Sequence, residues 1–193
     1  MSTKNSIKPT GAGKSSFELI DTEKLFHELD LKHGINFLDV ACGKGSYCLK
    51  ASEIIGSDGT VYGVDLWAEG IENLKKDAGE KKARNIKAFV SDAGRHIPVE
   101  DQCVDVCLLA TVLHDFIEDR IADGVMREVC RILKPEGTLA IVEFKKADGP
   151  PGPPKHIKLS PEEVAEKLTA FDFKKERLTD IGPYNYLMLL RRH

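Results

Sequence analysis

Apolar residues recur along this chain with two alternating periods, and the alternation predicts its elements. Leu25, Phe26 and Leu29 share one face of a helix over Thr22–Leu31, with Asp21 or Thr22 as cap. Asn36–Ala41 reads as a first strand and Ser46–Ile55 as a helix. Thr60–Asp65 reads as a second strand, entered through the turn Ser57-Asp58-Gly59. Ala68–Ala78 is a helix and Asn85–Val90 a third strand. Val104–Ala110 is almost continuously apolar, as in a strand covered on both faces. The next helix is predicted to start near Asp115, with Glu118 placed for a capping box, and to run through Ile117, Ile121, Val125, Val129 and Ile132. Lys134-Pro135-Glu136-Gly137 stops it, and Thr138–Phe144 is a fifth strand. After the Pro/Gly-rich loop 149–154, Ser160-Pro161-Glu162-Glu163 starts a helix with a capping box and proline at its first position. Phe173–Asp180 and Tyr184–Arg191 close the pattern as a hairpin joined by Gly182-Pro183.

Alternating strands and helices imply an α/β fold, a doubly wound parallel sheet covered on both faces. At 193 residues a single domain is expected, with residues 1–16 as a mobile N-terminal arm and 17–31 as an N-terminal helical region. Ligands of such sheets bind beyond the carboxyl ends of the strands.

Charge and cysteine content narrow the field. The formal net charge of −3 gives no global signal for nucleic acid or a membrane surface. No apolar run reaches the roughly 20 residues of a membrane-spanning helix, and Met1 to Thr10 is polar, so a cytoplasmic protein is expected. The five cysteines, Cys42, Cys48, Cys103, Cys107 and Cys130, form no Cys-x-x-Cys and are read as reduced core thiols, with no metal site.

The strand ends carry the candidate chemistry. Gly43 and Gly45 follow the first strand and open a helix, where bare backbone can approach a nucleotide. Asp65 ends the second strand, placed to accept from ribose hydroxyls or to serve as a loop carboxylate. A dinucleotide fingerprint wants a third glycine three residues after Gly45, where Cys48 stands. Asp92, ending the third strand, is read as a turn cap or an acceptor for an adenine amino group. Asp39 lies within an otherwise apolar strand, so its carboxylate needs a partner, and a ligand ammonium would serve. Gly11-Ala12-Gly13-Lys14-Ser15-Ser16 ends like a phosphate-binding loop, but Lys8 holds the place of the first glycine and no strand precedes it. ATP binding there is rejected.

The run Leu38-Asp39-Val40-Ala41-Cys42-Gly43-Lys44-Gly45 resembles the first motif of class I S-adenosylmethionine-dependent methyltransferases, with Ala41 in place of a glycine. Val64-Asp65, Ser91-Asp92-Ala93, Asp105 and Leu133-Lys134-Pro135-Glu136-Gly137-Thr138-Leu139 match later motifs in order. The resemblance spans residues 36–145, rests on the ordered set, and is strongest to the small UbiE-like, type 11 branch. It implies a Rossmann-like sheet of order 3-2-1-4-5-7-6 with the last strand antiparallel. It also implies roles. Asp39 and the backbone of Ala41, Gly43 and Gly45 would hold the methionine part of S-adenosylmethionine, and Asp65 the ribose. Leu66 and Trp67 would lie beside the adenine, Asp92 and Ala93 at its edge, and Ala110 and Thr111 near the sulfonium.

Methyl transfer from a sulfonium needs alignment and a dry pocket, and a base where the acceptor is a hydroxyl or amine. His114, just past the fourth strand at the expected pocket mouth, is the first candidate base, against the alternative of a polar residue at a helix start. Glu143 is the second, against pairing with Lys145 or Lys146; His156 lies in a loop and is a third. Tyr184 and Tyr186 are core or pocket residues; the N-terminal arm is expected to close over the cofactor as a lid, with Lys14 to Phe17 contacting the substrate pocket. A small-molecule acceptor is favoured. Basic patches with interleaved aromatics are absent, and Ala110-Thr111-Val112-Leu113 is not a base-amino motif, so a nucleic-acid substrate is not expected. An NAD-dependent oxidoreductase and a non-catalytic cofactor-binding module stand as alternatives, and a monomer or homodimer is expected.

Overall fold

The structure, a computed structural model, describes residues 13–192; residues 1–12 of the expected N-terminal arm lie outside the described residues. Seven strands form one sheet: β1 (Asn36–Val40), β2 (Thr60–Asp65), β3 (Ile86–Val90), β4 (Val104–Ala110), β5 (Leu133–Phe144), β6 (Phe173–Asp180) and β7 (Asn185–Arg192). Their order is β3-β2-β1-β4-β5-β7-β6. Pairings from β3 to β5 are parallel, and β7 runs antiparallel to both β5 and β6. This is the expected order, with the final strand reversed and inserted between its two neighbours.

Strand alternation sorts the side chains to two faces. Phe37, Val106, Leu108, Ala140, Val142, Leu187 and Leu189 face helices α1 (Thr22–Leu29), α2 (Ser46–Ile55) and α3 (Ala68–Glu80). Leu38, Val40, Cys107, Leu109, Leu139, Ile141 and Met188 face α4 (Leu113–Glu118), α5 (Ala122–Ile132) and α6 (Pro161–Thr169). The edge strand β6 is exposed along most of its length and carries Lys174, Lys175, Glu176 and Arg177, charges that discourage pairing with another sheet.

Local chemistry sets the helix ends. Asp21 caps α1 by accepting from the Lys24 amide at 2.9 Å. Ser160 and Glu163 form the predicted capping box of α6. The single helix expected from near Asp115 to Ile132 is instead two. Arg120 takes φ 60°, the Arg120 amide donates to Ile117 O, and the Ile121 amide donates to Phe116 O. These paired bonds close α4 with a Schellman cap. The apolar spacing runs through the break because Ile117 and Ile121 both pack on the same core face. No Asp115/Glu118 box forms: α4 begins at Leu113, and its second amide, that of His114, donates to the Glu143 carboxylate at 3.1 Å.

β5 also starts earlier than predicted. Val104 pairs with Leu133 and Val106 with Thr138, so the Lys134–Gly137 turn bulges out within the strand and does not precede it. Asp105, opposite the bulge, accepts from the Asn36 amide at 2.8 Å and from Lys134 Nζ at 2.7 Å, a structural role that ties β1 to β5 across β4. Tyr186 is core, its hydroxyl donating to Leu159 O at 2.9 Å, whereas Tyr184 is exposed.

Candidate active site

The carboxyl ends of β1 to β5 converge on one edge of the sheet. After β1 the chain turns through Ala41, Gly43 and Gly45, all with positive φ. A Cβ on Gly45 would collide with Leu74, whereas one on Gly43 would project into open space, the approach side for a ligand. α3 packs against this loop through Gly70, whose missing Cβ would lie 2.5 Å from Gly43 O.

The Cys48 anomaly resolves in three dimensions. Gly63 of β2 faces Cys48, and a Cβ there would lie 3.0 Å from its sulfur and 3.2 Å from that of Cys42. The space that a glycine on the helix would leave is left by a glycine on the strand. The neighbouring Cys42 thiol and burial together push the Cys48 thiol well up.

Asp65 holds the loop from the next strand. Its carboxylate accepts from the Gly43 amide at 2.7 Å through one oxygen and from the Trp67 amide at 2.7 Å through the other, which fixes the group between the glycine turn and the start of α3. Leu66 is exposed and Trp67 buried. Asp39 is almost wholly buried, and its side-chain partner is Cys48, whose thiol donates at 3.5 Å. Burial pushes the Asp39 carboxyl up to about 8, against the Cys48 hydrogen bond and with the help of Asp65. A weakly compensated carboxylate beneath a glycine loop fits a cationic ligand group. Asp92 ends β3 in a tight turn, accepting from the Gly94 amide at 2.9 Å, with Arg95 Nε 3.4 Å from its other oxygen; Ala93 beside it is half-buried. Its cap role is therefore formed.

The segments just after β4 and at the end of β5 bring a histidine and a glutamate together. Ala110 is followed by Thr111 at φ 54°, whose hydroxyl lies 2.8 Å from Ala110 O and 3.1 Å from the Ser16 hydroxyl. His114 Nδ1 lies 2.8 Å from Glu143 Oε2 and 3.0 Å from Oε1. The ring is not at an open mouth, as expected, but 5% exposed, with Glu143 wholly buried. Glu143 meets neither neighbouring lysine: Lys145 pairs with Asp180 and Lys146 with Glu163. Burial alone would lower the His114 pKa; the Glu143 hydrogen bond and charge outweigh it and hold the imidazole above its ordinary value. Asp115 Oδ1 lies 3.5 Å from His114 Nε2, and burial raises the Asp115 carboxyl. His156 is exposed on its loop.

Two contributors were not visible in the sequence. Tyr47, in the first turn of α2, lies with its hydroxyl 2.8 Å from the Ser16 hydroxyl and its ring edge-on to Phe17 at 5.0 Å. Phe144 sets its ring 6.1 Å from that of His114, and Gly152 of the Pro/Gly loop packs against the face of Phe144. Among the described residues no group of three or more His, Cys, Asp or Glu side chains could hold a metal ion, and no helix is long and apolar enough to cross a membrane.

A seven-stranded sheet of this order, with a glycine turn after β1 and a carboxylate after β2, defines a class I methyltransferase fold. The chain belongs to the methyltransferase domain family, which matches residues 31–182. The structure of an S-adenosylmethionine-dependent methyltransferase from Aquifex aeolicus superposes with a TM-score of 0.84 at 28% identity, covering 95% of this chain and 96% of that one. The demethylmenaquinone methyltransferase of Lactobacillus johnsonii is 30% identical over 129 residues, 66% of this chain and 51% of the relative. The aklanonic acid methyltransferase DauC of a Streptomyces species is 30% identical over 137 residues, 70% of this chain and 60% of the relative. The chain thus spans about half to three fifths of the length of these curated relatives.

Proposed function

We propose that this protein transfers a methyl group from S-adenosylmethionine to an oxygen or nitrogen of a small organic acceptor, with His114 as the base. The observation that carries the reading is the buried His114–Glu143 pair, at 2.8 Å, on the same sheet edge as the Gly43–Asp65 loop lock. Relatives named for a menaquinone and for aklanonic acid support a small-molecule acceptor. The family match favours methyl transfer over the oxidoreductase alternative.

In this reading Asp39 faces the ammonium of the cofactor, and the backbone of Ala41, Gly43 and Gly45 lies along its methionine part. Asp65 takes the ribose hydroxyls with the lone pairs left by the Gly43 and Trp67 amides. Leu66 and Trp67 flank the adenine, Asp92 and Ala93 meet its edge, and Ala110 and Thr111 line the reacting end. When bound, the cofactor supplies an activated methyl group. His114 gives Nδ1 to Glu143, so the Nε2 lone pair is the one left to take a proton from the acceptor as the new bond forms. Glu143 positions the ring and stabilises the imidazolium; it is too buried to meet the acceptor itself.

In this reading residues 13–17 act as a strap over the site. Gly13 packs on Trp67 at the adenine side, Ser16 joins Tyr47 to Thr111 at the centre, and the charge of Lys14 reaches Asp115 at the base side. One short segment therefore covers both halves of the site.

Calorimetric titration with S-adenosylhomocysteine and NADH, followed by turnover on a panel of phenols and amines, tests the assignment. Micromolar S-adenosylhomocysteine binding that weakens at least about tenfold in Asp65→Ala is expected. His114→Ala should bind it as the parent does while turning over about 10²–10⁴-fold more slowly. In Glu143→Gln, burial acts on His114 without its counter-charge, so the acid limb of the rate profile should move to lower pH. NADH binding in place of S-adenosylhomocysteine would overturn the reading. Tight binding with no turnover across the panel would leave a cofactor-binding module.

A further inference from the structure

At the opposite edge of the sheet, where β2 and β3 begin, lies a second concavity of about 730 Å³. It is separated from the cofactor loop by the length of β2, about 16 Å at the rise of an extended strand. Lys81, Lys82, Arg84 and Lys87 line it together with Ser57, Thr60 and one carboxylate, Glu53, which is paired with Lys81.

Between Lys75 and Lys87 the chain carries six cations and two carboxylates, in a protein whose net charge is −3. Three of the six have acidic partners: Lys75 with Glu72, Lys76 with Glu80 and Lys81 with Glu53. Among the described residues Lys82, Arg84 and Lys87 form no ion pair, and all three are exposed. Lys87 rests over the ring of Tyr62, 5.5 Å from its centroid. Lys81 and Lys82 follow the C-terminus of α3, where a cation offsets the helix dipole. That account does not extend to Arg84 or Lys87, which stand beyond the helix and line the same cavity. Like charges so placed repel one another, and an anion among them removes the repulsion.

We propose that this pocket binds a small polyphosphorylated anion, such as a tripolyphosphate or the phosphate chain of a nucleotide. Three cations without an acidic partner, one of them a guanidinium fork, line with hydroxyls a cavity within the size range of small-ligand sites. A nucleic-acid strand would ask for a longer track with aromatic platforms, and no aromatic residue lines the cavity. The site is independent of the cofactor site in place and in chemistry.

Calorimetric titration of the full chain with sodium tripolyphosphate and with ATP, at low and at physiological ionic strength, tests this. Binding in the micromolar to sub-millimolar range at low salt is expected, weakening as salt rises. Lys82→Glu/Arg84→Glu should weaken it at least about tenfold, with S-adenosylhomocysteine affinity and melting temperature retained as the control for folding. ATP binding like tripolyphosphate would place recognition on the phosphates, and tighter ATP binding would add a role for the nucleoside. No binding of either probe, equal binding by parent and double variant, or binding of a single-stranded oligonucleotide but not tripolyphosphate would each overturn the proposal.

Discussion

Asp39 shows how one residue sets function against stability. Its carboxyl, pushed up to about 8 by burial, resists ionisation in the folded chain, whereas the ordinary value is near 3.8. The folded state therefore holds the proton more tightly than the unfolded one, and stability falls as pH rises between the two values. Asp39→Asn keeps the shape and removes that dependence. We predict that at pH 7.5 the variant melts higher, by a gain of up to about 5 kcal/mol for a carboxyl held near 8, and that the gain nearly vanishes toward pH 4. S-adenosylhomocysteine should bind it about tenfold more weakly, because a cationic group loses its counter-charge. Melting curves over that pH range, paired with one titration, decide both halves; a variant no more stable than its parent would mean that Asp39 is not held protonated.

At the scale of elements, the contact between α2 and β2 depends on which partner supplies the missing side chain. Gly63→Ala places a methyl group 3.0 Å from both Cys48 Sγ and Leu74 Cδ2, and should cost about 1–3 kcal/mol by overpacking. Cys48→Gly frees the same space from the helix side. Urea denaturation of the two single variants and the double is expected to give strong positive coupling, with the double more stable than Gly63→Ala alone. Additive losses would show that the pair does not share one space. This contact also explains what the sequence could and could not reveal. The strands, apart from the start of β5, and the α6 capping box were legible because each rests on a short run of residues, and Gly43 and Asp65 were legible as strand-end residues but not as partners of each other. The Cys48–Gly63 exchange was not, since it joins two elements. The break at Arg120 was hidden because Ile117 and Ile121 keep helical spacing across it. Glu143 was readable as a candidate but not as the partner of His114, 29 residues away.

For the whole molecule, the strap links ligand exchange to one hydroxyl. Tyr47→Phe keeps the ring contact with Phe17 and removes the bond to Ser16. Loss of a hydrogen bond of about 1 kcal/mol should speed S-adenosylhomocysteine release about fivefold in stopped-flow measurements. Deletion of residues 1–16 should speed it further. Unchanged release and turnover in both would show that the segment is not a lid. The sheet order has a different reach. β5 is bordered by β4 on one side and by β7 on the other, and β7 ends at Arg192. On the ribosome, Leu139, Ile141 and their neighbours emerge long before the strand that covers their open edge. During synthesis the nascent chain thus presents an unpaired, apolar strand through all of α6 and β6. Its exposure to aggregation is governed less by the stability of the finished domain than by how quickly the last hairpin zips into place.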